Sequence, residues 1–106
     1  MIKQTLEEWQ NEAASRFGNK GLEWQFQCPK CESVQSGQDF IDAGMTLTDA
    51  QGRAYFSCIG RWVEGKGCNW TAGGLFGTLG KGRIVIDPDG IEHEVFEFGN
   101  KKEEAN

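Results

Sequence analysis

At 106 residues and 11.8 kDa the chain has room for one domain and none for two independent cores. A hydrophobic fraction of 38% and 15 glycines imply a small core among turns and loops, which a cross-link through the four cysteines would help to hold. The formal net charge of −5 works against nucleic acid as a partner, and no stretch approaches the roughly 20 apolar residues of a membrane span. That charge is uneven. Residues 1–52 carry four basic and eight acidic side chains, 53–83 carry five basic and one acidic, and 84–106 carry two basic and seven acidic.

Thr5 followed three residues later by Glu8 is a capping-box signature. Leu6, Trp9, Ala13 and Phe17 then recur at helical spacing, and Gly18 suits a left-handed stop. The pattern predicts an amphipathic helix over 5–17. Leu22, Trp24 and Phe26 alternate with Glu23, Gln25 and Gln27, the period of a half-buried strand leading into Cys28. Ser36 with Asp39 three residues on predicts a short helix before Gly44. Asp49-Ala50-Gln51-Gly52 reads as a turn, and the β-branched and aromatic run Ala54–Ile59 reads as a second ribbon strand.

Residues 60–82 are rich in glycine and form a loop with Trp62, Trp70, Leu75, Phe76 and Leu79 as anchors. Arg83–Ile86 and Ile91–Phe98 flank Asp87-Pro88-Asp89-Gly90, the composition of a β-hairpin turn. Residues 100–106 lack apolar anchors and are expected to form a flexible tail. The fold class that follows is α+β. It is a single domain over 1–99, with a small zinc β-ribbon over 22–72, an N-terminal amphipathic helix and a C-terminal hairpin over 83–98 that extends the sheet.

Cys28 and Cys31 are separated by two residues, Cys58 and Cys68 by nine. The first spacing lets one tight turn aim two thiolates at a single ion, and glycines at 60, 65 and 67 let the longer loop bulge and return. The N-terminus has no signal-peptide core, and in a reducing cytoplasm clustered cysteines read as metal ligands rather than disulfides. Cys28, Cys31, Cys58 and Cys68 are therefore the candidate ligands of one structural Zn2+. Iron and a thiol-redox pair are the competing readings.

Cys28-Pro29-Lys30-Cys31, Cys58-Ile59-Gly60-Arg61, Gly67-Cys68-Asn69-Trp70 and Gly74-Leu75-Phe76 resemble the motifs of small phage- and prophage-encoded zinc-ribbon proteins with four cysteine ligands. More loosely, the two knuckles are similar to the zinc ribbons of type IA topoisomerases. The first resemblance covers roughly 22–80, assigns the four cysteines to the metal, implies the cytoplasm of a bacterial host and brings no activity with it.

The remaining chemistry-bearing residues offer little for an enzyme. His93 is the only histidine and falls between Glu92 and Glu94 in the last predicted strand, an exposed position. Gly73–Gly82 lacks the Lys-Ser/Thr pair of a phosphate loop. No enzyme and no small-molecule substrate are expected. Arg61, Trp62, Lys66 and Trp70, in or beside the Cys58–Cys68 loop, are the candidate partner surface, since Trp and Arg are enriched in interface hot spots. An unidentified protein partner is the leading expectation, with an inhibitory, anti-defence role toward a host complex as its sharper form. A nucleic-acid-binding ribbon using Arg53, Arg61, Lys66, Lys81 and Arg83 is the alternative.

Overall fold

Thr5 ends one element and caps the next. In the computed structural model, which describes residues 2–71 and 81–99, strand β1 (Ile2–Thr5) runs directly into helix α1 (Leu6–Phe17). The Glu8 amide donates to Thr5 Oγ1 at 3.2 Å and the Thr5 amide to Glu8 Oε1 at 2.9 Å, so both ends of the capping box are closed. Gly18, at φ 95°, ends the helix with its amide on the Ala14 carbonyl. The buried face of α1 is Trp9 and Ala13.

Two three-stranded sheets flank that helix. One has the order β1–β4–β5, with β1 parallel to β4 (Arg83–Ile86) and β5 (Glu92–Val95) antiparallel to it. The other has the order β3–β2–β6, from β2 (Gln25–Gln27), β3 (Val34–Ser36) and β6 (Glu97–Phe98), all antiparallel. Trp9 packs α1 onto the second of these sheets. Its ring lies 6.0 Å from Phe26 and 6.1 Å from Phe98, both stacked, and these three aromatics with the fully buried Phe40 and Phe96 form much of the core.

The fold is α+β, and several of its elements depart from the sequence pattern. The strand expected from Leu22 is shorter, because Gly21–Glu23 is a 3-10 turn and Trp24 turns its indole N–H onto the Gly18 carbonyl at 2.9 Å. Ser36 caps helix α2 (Gly37–Asp42) with Asp39 closing the box. Asp49–Gly52 is no turn but part of helix α3 (Leu47–Arg53). Thr46 caps it, Asp49 pairs with Arg53 at 3.4 Å, and Ala50 is fully buried, which together outweigh the turn preference of Asp and Gly.

The run Ala54–Ile59 is not a strand either. The amides of Ala54, Phe56 and Ser57 fold back onto the last carbonyls of α3, and only Ser57 forms a single bridge, to Thr71. The hairpin also differs. Phe96, fully buried with its amide on the Tyr55 carbonyl at 2.7 Å, breaks the return strand in two. β5 stays with β4 in a sheet with β1, while β6 crosses to pair with β2, so only the last two residues of the expected hairpin extend the ribbon. Among the described residues no helix is long and apolar enough to cross a membrane. The Gly-Leu-Phe segment at 74–76, the glycine run at 73–80 and the tail expected at 100–106 lie outside the described residues.

Candidate metal centre

The β2–β3 hairpin carries the first pair of cysteines at its tip. The Glu32 amide donates to the Cys28 carbonyl at 2.9 Å and the Cys28 amide to the Ser33 carbonyl at 3.0 Å, closing a tight turn through Glu32 at φ 64°. The Cys31 and Lys30 amides aim at the Cys28 sulfur. Cys58 leads into the 3-10 turn Ile59–Arg61, and its sulfur receives the amides of Gly60 and of Cys68, the latter at 3.3 Å. The Cys68 sulfur receives the Trp70 amide at 3.4 Å, and the Cys31 sulfur lies 3.1 Å from Ser33 Oγ.

Arg61 stands where a two-residue spacing would place a second cysteine after Cys58. Cys68 takes that role by returning along the loop, and two glycines make the return possible. A β-carbon on Gly60 would lie 2.4 Å from the Gly67 carbonyl carbon, and one on Gly67 would lie 2.7 Å from the Cys58 sulfur.

All four sulfurs lie within 4.8 Å of one another, with Cys28 to Cys68 at 3.5 Å and Cys31 to Cys58 at 3.8 Å. A tetrahedral zinc–thiolate site with bonds near 2.3 Å has sulfur–sulfur edges of about 3.8 Å. Disulfide bonds would need about 2.05 Å, and all four cysteines are free. Cys28 and Cys58 are fully buried, Cys68 partly, and Cys31 is exposed. So dense a set of thiols resists shared ionisation. Sharing a proton with Cys58, and then burial, pushes Cys28 up, while burial first pushes Cys68 up. Cys58 is shifted the opposite way. Hydrogen bonding from Cys28, with the Gly60 and Cys68 amides, lowers it to about 5. The donor set, its spacing and its amide hydrogen bonds fit one metal ion, and these four cysteines can hold it.

Cations surround this cluster. Lys81 Nζ donates to the Pro29 carbonyl at 3.3 Å, Lys30 Nζ stands 5.6 Å from the Trp70 ring centre, and Arg61 donates to the Asn69 carbonyl at 3.3 Å. Their positive charge suits a site whose four thiolates outweigh a divalent ion by two charges.

The structure separates the expected partner residues into two groups. Trp62 is 38% exposed, packs on Phe40 at 6.1 Å, and carries the guanidinium groups of Arg53 at 4.5 Å and Arg61 at 5.9 Å over its ring. Lys66 is exposed on the same loop, whereas Trp70 is half-buried beside Lys30 at the first knuckle. Arg83 leaves the basic surface altogether. It is 4% exposed, pairs with Glu12 at 2.7 Å and Glu97 at 2.6 Å, and lies over Phe98. His93 is exposed and bonds Asp87 at 2.9 Å.

One residue that the sequence reading passed over holds the second knuckle in place. Gln35, 1% exposed in β3, donates to the carbonyls of Ala54 at 2.9 Å and Ser57 at 2.7 Å and accepts the Ile59 amide at 2.7 Å. Its side chain is the partner that a neighbouring strand would otherwise supply to residues 54–59. A glutamine in a short strand carries no signal of this.

Over residues 5–99 the chain matches the VVA0879-like family, and it belongs to that family. No curated protein and no solved structure matches it.

Proposed function

We propose that this member of the VVA0879-like family is a non-enzymatic protein, stapled by one structural zinc ion, that works by binding another protein. The closed donor set carries this reading. Four cysteine sulfurs at tetrahedral separations fill every position of a zinc ion and leave none for substrate or water, the pattern of structural rather than catalytic zinc. Zinc is our choice over iron because its role here is to hold chain segments, which needs no redox chemistry. When bound, the ion would tie the β2–β3 hairpin to the Cys58–Cys68 loop, two segments that share little regular hydrogen bonding.

The surface we assign to the partner is the loop face at Trp62 with Arg61 and Lys66, Trp70 forming a separate contact at the first knuckle. Two guanidinium groups over the Trp62 ring favour a protein over single-stranded nucleic acid, since a base stacking there would have to displace them. The resemblance to phage-encoded proteins makes a host nucleic-acid-handling complex, inhibited in the bacterial cytoplasm, the class of target we assign.

Native mass spectrometry of protein purified without chelator or added metal tests the central claim. One zinc per chain, lost together with the fold on chelation, is expected. A folded metal-free chain, bound iron or two disulfides would overturn it.

A further inference from the structure

Between α1, the Gly21–Glu23 turn and α3 lies a cavity of about 270 Å3 whose lining includes none of the four cysteines. Its walls are aromatic. Trp24 stands edge-on to Trp9 with ring centres 6.0 Å apart and planes at 89°, and Tyr55 stands to Trp9 at 6.0 Å and 71°. All three rings line the same cavity, and Gly37 and Ala50 in its lining keep side-chain bulk out of it. No lining side chain is charged among the described residues.

We propose that this cavity is an aromatic cage for an alkylated ammonium group of the trimethylammonium type. Rings set at steep angles to one another wall one volume from several sides, and their negative faces attract a cation that is too weakly hydrated to resist desolvation. The cations of the chain itself do not fill it. Among the described residues, the arginines and lysines that lie over rings do so at Phe98, Trp62 and Trp70, not at Trp9, Trp24 or Tyr55.

The size and charge of the surroundings agree with a small cation. The volume falls just below the ~300–1,000 Å3 of pockets for drug-sized ligands, so it suits a head group or one side chain. The net charge of −5 draws cations to the chain, and Glu23 is exposed between the lining residues Leu22 and Trp24. A trimethylammonium group reaches such a site either as a free quaternary amine or as a methylated lysine on a protein.

The test compares choline with its uncharged isostere 3,3-dimethylbutan-1-ol, read by tryptophan fluorescence and by the indole N–H signals in NMR. The cage predicts saturable choline binding, about fivefold or more tighter than the isostere. Equal or tighter binding of the isostere, or no saturable binding of choline, overturns the proposal. Tyr55→Leu should weaken choline about tenfold. Because that variant can disturb packing, the exposed Gln51 in the lining supplies a second pair. Gln51→Lys should weaken choline severalfold and Gln51→Glu should tighten it, with the isostere unmoved; choline affinity indifferent to this charge overturns the proposal. A trimethyllysine peptide binding more tightly than choline marks a methylated protein as the source, and the reverse order marks a free quaternary amine.

Discussion

The side-chain oxygen of Gln35 accepts the Ile59 amide at 2.7 Å while its nitrogen serves the carbonyls of Ala54 and Ser57. One buried carboxamide therefore satisfies three main-chain groups in the segment that delivers Cys58. Replacing it with Gln35→Leu keeps the volume and orphans all three. At about 1–3 kcal/mol for each buried unsatisfied group, a loss of about 3 kcal/mol or more is expected in urea unfolding. The metal ion proposed for the cysteine cluster should also leave the variant faster in chelator competition. A change below about 1 kcal/mol, against that same scale, would remove Gln35 from its positioning role.

The glycines of the long loop should differ sharply among themselves. Gly60 faces main chain, with Gly67 and Cys68 atoms at 2.4–2.5 Å from a β-carbon, and Gly67 faces the Cys58 sulfur at 2.7 Å. Neither neighbour is a flexible side-chain end. Gly60→Ala and Gly67→Ala should each cost about 2–3 kcal/mol and speed metal loss. Gly65, at φ 82° with nothing within 4 Å, should cost only about 1–2 kcal/mol as alanine and leave metal release unchanged. Equal metal release from all three variants would contradict this ordering.

Acid should weaken the fold through Glu12. A hydrogen bond from Arg83, against the opposing effect of burial and with help from Gln4 and Arg16, lowers its carboxyl from 4.5 to about 2. Burial alone would lower the Arg83 pKa, yet Glu12 and Glu97 more than offset it and hold it above the ordinary value. The lowered folded-state pKa of Glu12 means its stabilisation is present above about pH 4.5 and fades as pH falls toward 2. The full shift corresponds to about 3 kcal/mol, and solvent at the 29% exposed side chain reduces the expected effect to about 1–2 kcal/mol. Glu12→Gln should therefore lower stability at pH 7 and flatten its loss between about pH 4.5 and 2. Parallel pH profiles for the two proteins would refute the assignment.

What could be read from the sequence was whatever is decided locally. Thr5 with Glu8 and Ser36 with Asp39 announce helix starts because the capping box lies within four residues. The turn Asp87–Gly90 announces the hairpin for the same reason, Asp87 Oδ1 accepting the Asp89 and Ile91 amides. The four cysteines cluster because their chemistry allows few other arrangements. The strand expected at Ala54–Ile59 failed because its partner is the Gln35 side chain rather than a neighbouring strand. The pairing of β1 with β4 joins Ile2–Thr5 to Arg83–Ile86, and nothing in either stretch names the other. Arg83 read as surface charge because Glu12, Gln4 and Glu97 meet it only in three dimensions.

That burial bears directly on nucleic acid. Of the five cations in residues 53–83, Arg83 is enclosed by two carboxylates, Arg53 pairs with Asp49, and Lys81 donates to the Pro29 carbonyl. Arg61 and Lys66 remain the most outward, too few to neutralise a long run of phosphates on a chain of net charge −5. Fluorescence anisotropy with a labelled single-stranded oligonucleotide at about 50 mM salt should show no saturable binding below about 100 μM, the weak end of non-specific affinities. Binding in the low micromolar range that falls steeply with salt and disappears in the Arg61→Glu, Lys66→Glu double variant would replace the protein-partner reading with a nucleic-acid one. Binding that survives both charge reversals would place the contact elsewhere, at Lys30 and Trp70 beside the first knuckle.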